Sequence, residues 1–236
     1  GVFVAFPRSP MATAYDAWNI QSFSKGRFQL GLGSQIKAHL RRRFSTTVHP
    51  PVERMREYVE SLRAIWDCWQ NGTRLDYNGK YYQFSLMIPY YDPGPIESPD
   101  IPIYLAAINK RMCQLTGEIA DGHLPGDPIT DKWFSEVMLP NLEIGAARAG
   151  RKLSDLDLCS HGFIGCATTQ EGLERIREGL KERVALYAST PEYEKILKMH
   201  GWNVDLSQFI ELSRQGRWKD MGKLVTDNML ESYAVV

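Results

Sequence analysis

The chain has 236 residues, 43% hydrophobic and 24% charged, enough for one large globular domain and unlike the composition of a disordered segment. Lys and Arg number 28, as do Asp and Glu, so the formal net charge is +0 and the electrostatic footprint of a nucleic-acid or anionic-membrane binder is missing. Cys68, Cys113, Cys159 and Cys166 include no C-x-x-C pair, which fits a reducing cytoplasm better than a disulfide framework, and leaves small molecules and other protein subunits as the expected partners.

Val2 to Phe6 is a compact apolar β-type run stopped by Pro7. It is too short for a signal sequence and lacks a basic stretch before it, and no apolar run in the chain approaches the ~20 residues of a membrane span. Because the chain begins at Gly1 within this run, the N-terminus of a longer protein is expected to be missing. Ala14, Ala17, Trp18 and Phe23 suggest a helix, Arg27 to Leu32 a second strand stopped by Gly33, and residues 34 to 49 a loop. Val52, Met55, Tyr58, Val59, Leu62, Ile65, Trp66 and Trp69 recur at helical spacing, with Pro50-Pro51 where the helix starts and Asn71-Gly72 where it stops.

Asn78-Gly79 between two tyrosine-rich arms predicts a hairpin. It opens an excursion at 73–101 that Pro89, Pro93, Pro95 and Pro99 stiffen. IPIYLAA reads as a buried strand, KRMCQLTGEIA as a short helix and DGHL as the start of another strand. Helices are expected over 133–149 and 171–188 on either side of a strand LDLCSHGFIGCA, extra helices over 191–228, and a last strand in MLESYAVV. Strands alternating with helices throughout argue for a parallel α/β fold. At a length close to the roughly 250 residues typical of a closed (β/α) barrel, the expectation is a (β/α)8 TIM barrel missing part of one or both ends, with an open doubly wound sheet second.

Gly31-Leu32-Gly33 invites a dinucleotide-binding reading, but the third glycine of that fingerprint is replaced by Ile36 and no helix is expected against the glycines. No G-x-x-x-x-G-K-[ST] motif is present either. At the carboxyl end of a barrel strand, small residues instead let a flat ring system lie against the backbone, and Gly33, Ser34 and Gln35 would face a cofactor.

The run around GRFQLGLGSQ, the helix RMREYVESLRAIW, the hairpin YNGKYY, the strand IPIYLAA, the GEIADG turn and the later ASTPEY and GRWKDMGKLVTD stretches occur in one order over essentially the whole chain. In this the sequence resembles the bacterial luciferase-like superfamily of flavin-dependent oxidoreductases, and within it the members that use the deazaflavin coenzyme F420. The resemblance implies a single barrel domain over 1–236 that starts in its third strand and lacks the first two strands and the closing helix. It also implies a non-proline cis peptide at Gly1-Val2 supporting the ring, cofactor contacts at Gly33, Ser34 and Gln35, and a phosphate held by Ala106, Ala107, Ile108 and Asn109. Asn109 is a good N-cap residue and the helix it opens suits an anion, with Lys110 and Arg111 as added cations. Ile108-Asn109-Lys110 departs from the glycines and proline common in relatives.

His39 lies in the loop after the second glycine strand, where an imidazole is a natural proton donor or simply solvated. Arg41-Arg42-Arg43 reads either as a grip on the acidic tail or phosphates of a cofactor or as a solvated face. Cys159, His161 and Cys166 raise a metal reading, but Cys166 falls on the other strand parity, and buried small cysteines are the better account. His123 is a candidate pocket residue, and Tyr81, Tyr82, Tyr90 and Tyr91 form either a lid or packing for the excursion. The expected function is hydride transfer between F420 and an organic substrate in a cytoplasmic homodimer. Alternatives are an FMN-dependent monooxygenase, which uses oxygen, and a flavin-binding protein or fragment without turnover. Exposed strand edges in such an incomplete barrel predict aggregation.

Overall fold

The computed structural model describes residues 1–126, 128–160 and 162–236. In chain order its elements are β1 (Phe3–Val4), α1 (Pro10–Ser24), β2 (Leu30–Gly33), α2 (Lys37–Arg42), α3 (Pro51–Asn71), β3 (Tyr77–Asn78), β4 (Gln83–Phe84), β5 (Ile103–Ala106), α4 (Lys110–Ile119) and β6 (Gly122–Leu124). There follow α5 (Asp131–Trp133), a π-helical turn (Phe134–Met138), α6 (Leu139–Arg148), β7 (Asp157–Leu158), β8 (Phe163–Ile164), α7 (Gln170–Ala188), α8 (Glu194–Met199), α9 (Leu206–Arg214), α10 (Trp218–Gly222), α11 (Asp227–Tyr233) and β9 (Ala234–Val235). The chain divides into two compact units, residues 1–124 with 139–159, and residues 125–138 with 160–236.

The first unit holds a five-stranded sheet in the order β1-β2-β5-β6-β7, every pairing parallel. The order follows the chain without reversal once the β3-β4 hairpin is set aside, whereas a doubly wound sheet reverses at its switch point, so the barrel-type reading holds and the doubly wound one does not. α1 starts at Pro10, with the Ser9 hydroxyl accepting from the Met11 amide, and ends on Lys25 in the left-handed conformation. α3 runs from Pro51 to a left-handed Gly72, and its stripe Met55, Tyr58, Val59, Leu62, Ile65, Trp66 and Trp69 is buried as its spacing predicts.

α4 and α6 approach so closely that a Cβ at Gly117 would fall on the Leu142 carbonyl oxygen and one at Gly145 on the Gln114 carbonyl oxygen. In the second unit β8 pairs parallel with β9, and Leu180, Val184, Ile196, Leu197, Phe209, Met221, Met229 and Leu230 form its core. His200 stacks on Trp202 there and its Nε2 lies 2.8 Å from the Thr130 hydroxyl. Among the described residues no helix is long and apolar enough to cross a membrane.

Several expectations are corrected. Residues 37–42 are helical, not loop, with Leu40 as the one side chain that anchors this short turn by burial. Phe23 is 87% exposed because Ala14, Ala17, Trp18 and Gln21 already fill the inner face of α1. The hairpin closes over four residues, Gly79 to Tyr82, because the Glu57 carboxylate accepts from the Lys80, Tyr81 and Tyr82 amides and holds a wider loop than an Asn-Gly turn. LDLCSHGFIGCA forms two short strands in different sheets instead of one, and of MLESYAVV only Ala234 and Val235 are extended, since Thr226 caps a helix that consumes the rest.

Gly117→Ala and Gly145→Ala should each lower stability by about 1–3 kcal/mol, since a backbone atom cannot rotate out of the way of the added methyl. Gly179→Ala, in open space on α7, should instead stabilise by up to about 1 kcal/mol through helix propensity. Urea denaturation of the three variants reads both signs.

Candidate functional site

Side chains alternate across the sheet, and the first unit puts Gly31, Gly33, Tyr104, Ala106, Gly122 and Leu124 on one face and Leu30, Leu32, Ile103, Leu105 and His123 on the other. The second set is 0–3% exposed and forms the core. On the first face, a Cβ at position 33 would sit 2.7 Å from Val2 Cγ1 and 3.5 Å from Ala106 Cβ. One at position 31 would sit 2.5 Å from the Gly1 carbonyl oxygen and 3.0 Å from Leu124 Cδ1. The glycines therefore seat the chain's own Gly1-Val2 segment, and Val2, 49% exposed, forms an apolar shelf over Gly33 beside Ala106 at the carboxyl ends of the strands. Four of the expected cofactor residues, Gly1, Val2, Gly33 and Ala106, meet in this way.

Ser34 and Gln35 continue β2 outward, both half-buried. Gln35 has φ 59°, a left-handed conformation that costs a non-glycine residue about 1–2 kcal/mol, and its side-chain oxygen accepts from the Ile36 amide at 3.0 Å. Strain of this kind concentrates at binding sites. Along β5, the Ala107 amide donates to the Leu124 carbonyl and the Ala107 carbonyl accepts from His123 Nε2 at 2.9 Å. His123 is 0% exposed on the core face, so it does not line a pocket; it props the Ala106–Asn109 segment from below. Ile108 is half-buried. Asn109 occupies the N-cap of α4 in an extended conformation, but its side chain makes no capping bond. Arg111 is committed to an ion pair, Nη2 to Glu53 Oε1 at 2.5 Å, and it and Lys110 are exposed.

His39, Arg41, Arg42 and Arg43 are exposed on or just after α2. Tyr81 and Tyr82 are half-buried, whereas Tyr90 and Tyr91 are 94% and 68% exposed. Cys159 is half-buried and Cys166 exposed, which corrects the buried reading of the pair, and His161 lies outside the described residues. A solvent-open cleft of about 760 Å³ lined by Arg63, Gln70, Ile101, Pro102 and Asp121 sits at the amino ends of β5 and β6, the opposite end from Gly33.

Two groups escaped the sequence reading. The Tyr104 hydroxyl donates to Asp157 Oδ2 at 2.6 Å, with the ring lying over Gly122. Burial and the adjacent carboxylate push its ionisation well above the usual tyrosine range, so it stays a proton donor. Its parity with Ala106 in IPIYLAA was the available signal, while nothing local marked Asp157. Arg54 drew no reading of its own from the sequence, yet it reaches Phe6, Thr47 and Tyr82.

Burial holds the His123 proton affinity below the ordinary histidine value, outweighing the Ala107 carbonyl that raises it. A lowered histidine pKa means that the unfolded chain binds the proton first as pH falls. Its contribution to stability is therefore full above about pH 6.5 and lost progressively below it, towards the depressed folded value. Denaturation midpoints measured from pH 8 to pH 5 should show this loss, and His123→Gln should flatten it.

The family described as luciferase-like monooxygenase matches residues 1–236. The uncharacterized protein Rv1360 of Mycobacterium tuberculosis is 39% identical over 235 residues, covering 100% of this chain and 69% of that protein. The 5,10-methylenetetrahydromethanopterin reductase of Archaeoglobus fulgidus is 28% identical over 241 residues, covering 100% of this chain and 68% of its own length. The solved coenzyme F420 dependent tetrahydromethanopterin reductase of Methanopyrus kandleri superposes with a TM-score of 0.78 at 23% identity, over 99% of this chain and 68% of that one. With its sequential parallel sheet and a match over its whole length, the chain belongs to the luciferase-like monooxygenase family and has the barrel-type α/β fold of its members.

Proposed function

We propose that the protein is an oxidoreductase that passes a hydride between coenzyme F420 and an organic substrate. The observation that carries this reading is the junction of Val2, Gly33 and Ala106 at the carboxyl ends of the sheet. Its support among relatives is the reductase similarity, to one enzyme in sequence and to an F420-dependent one in fold. The residues fit a flat ring with an anionic tail. Val2 offers an apolar shelf seated on a glycine, and α4 presents first-turn amides that the Asn109 side chain does not cap, a setting that favours phosphate.

When bound, F420 supplies a ring carbon that carries a hydride and does not activate oxygen. The chain's own part is placement and exclusion of water. Val2 and Ala106 would back one side of the ring and Gln35 and Ser34 would border it at the end of β2, while Leu32 and Leu105 close the core beneath. His39 is the proposed proton donor or acceptor towards the substrate. Arg41, Arg42 and Arg43 are the proposed grip on the cofactor's acidic tail. FMN in the same cradle is the second reading, favoured by the monooxygenase description of the family, and would make oxygen a co-substrate.

Side-by-side fluorescence titrations with F420 and FMN test this directly. Tight binding of F420 alone is the expected result; preference for FMN moves the protein to the monooxygenases, and binding of neither removes the cofactor reading of Gly33. Replacing Arg41, Arg42 and Arg43 together by Gln should weaken F420 by up to about tenfold at low ionic strength, with the difference shrinking at roughly 0.5 M salt.

A further inference from the structure

Arg54 stands in the first turn of α3, half-buried, and its guanidinium reaches three segments far apart in sequence. Nη2 donates to the Phe6 carbonyl at 3.2 Å, Nη1 to the Thr47 carbonyl at 3.3 Å and Nε to the Tyr82 hydroxyl at 2.8 Å. The guanidinium also lies 4.5 Å from the Phe6 ring centroid and 5.5 Å from that of Tyr82. No ion pair of Arg54 occurs among the described residues, so its fork is spent on neutral acceptors. One turn further on, Glu57 holds the same hairpin by its backbone, Oε2 accepting from Tyr81 at 2.6 Å and Tyr82 at 3.2 Å and Oε1 from Lys80 at 3.0 Å.

Two of the three segments run from the candidate site, and Arg54 brings the third to them. Phe6 follows Ala5, whose amide donates to the Gly33 carbonyl at 3.0 Å. Thr47 lies in the connection from α2, the helix carrying His39 and the arginine run, to α3. Tyr82 belongs to the excursion that the sequence left open as either lid or packing. A planar five-donor fork can satisfy acceptors in three directions at once, which a lysine cannot do.

We propose that Arg54 is a positioning residue for the cofactor site: it ties the segment leaving β1, the segment leaving α2 and the tyrosine hairpin into one rim, so that the excursion is a fixed wall of the site and not a free lid. This rests on the reading of Val2, Gly33 and Ala106 as the place where a cofactor ring lies. The chemistry at stake is preorganisation. A rim held open by thermal motion has to be ordered by the ligand, and that ordering is taken from affinity.

The test compares wild type, Arg54→Gln, Arg54→Lys and Arg56→Gln; Arg56 stands on the same helix as Arg54 but pairs with Glu60 and with Glu118 on α4 and, among the described residues, makes no bond to the three segments. Each is titrated with F420 and with FMN, and amide hydrogen exchange is followed without cofactor. Arg54→Gln should weaken whichever cofactor the wild type binds by about tenfold or more, and should speed exchange together at residues 5–8, 46–48 and 79–84. Arg54→Lys should recover part of the affinity, and Arg56→Gln should leave both readouts at wild-type values.

Unchanged affinity in Arg54→Gln, an equal loss in Arg56→Gln, or loosening of a single segment would each overturn the proposal. Should Arg54→Gln fail to fold, Arg54→Lys carries the same comparison, because it keeps the charge and loses the fork. If the wild type binds neither cofactor, the cofactor reading fails on its own. The exchange data then decide the clamp: joint loosening of the three segments upholds it and independent behaviour ends it.

Discussion

Strand β2, Leu30-Gly31-Leu32-Gly33, is the constraint on which the rest of the first unit depends. All four residues are buried, and the strand pairs with β1 on one side and β5 on the other. Its two leucines point into the core, and its two glycines leave the other face bare enough for the Gly1 carbonyl and the Val2 side chain to press against the backbone. Any side chain at position 31 would meet a backbone oxygen that cannot swing away. The register of β1, the shelf that Val2 forms and the outward path through Ser34 and Gln35 all follow from that alternation of large and absent side chains.

Helix α3 serves two ends at once. Its apolar stripe is buried against the unit's core, while the polar residues of its first two turns face the carboxyl rim of the sheet and hold it through Arg54 and Glu57. Further ion pairs join α3 to its neighbours, Arg56 to Glu118 and Glu53 to Arg111 on α4, and Arg63 to Asp121 before β6. Exposed pairs of this kind contribute little energy each. Of them, Glu53–Arg111 joins the first turns of α3 and α4, the two helices that leave the candidate site, whereas Arg56–Glu118 and Arg63–Asp121 lie away from that end of α4.

The family's fold hosts both reductases and monooxygenases, so the barrel leaves the chemistry undecided, and the decision passes to the site and the ring it holds. The candidate site is apolar around Val2, Gly33 and Ala106, and Arg41, Arg42 and Arg43 are exposed on and just after α2. In a protein of net charge +0, that run is a local concentration of positive charge with no overall excess behind it.

Sequence by itself determined the long helix α3 and the buried strands β2 and β5, because helical spacing in Val52 to Trp69, the Pro51 and Gly72 boundaries and the apolar runs at IPIYLAA and LGLG are local signals set by backbone sterics and burial. It also marked Gly33, Val2 and Ala106 as candidate site residues through a family resemblance, and the structure brings these three together. What it could not contain is whatever depends on segments brought together from far apart. The Asn-Gly turn was overridden by a carboxylate more than twenty residues upstream, His123 was claimed by the core because its strand parity faces the helices, and Arg111 was claimed by Glu53. Tyr104 found Asp157 across 53 residues, and Arg54 found Phe6 across 48 and Tyr82 across 28, contacts for which no periodicity leaves a trace. Only the tertiary structure decided those, since a polar side chain's partner is fixed by which acceptors the packed sheet and helices place within its reach.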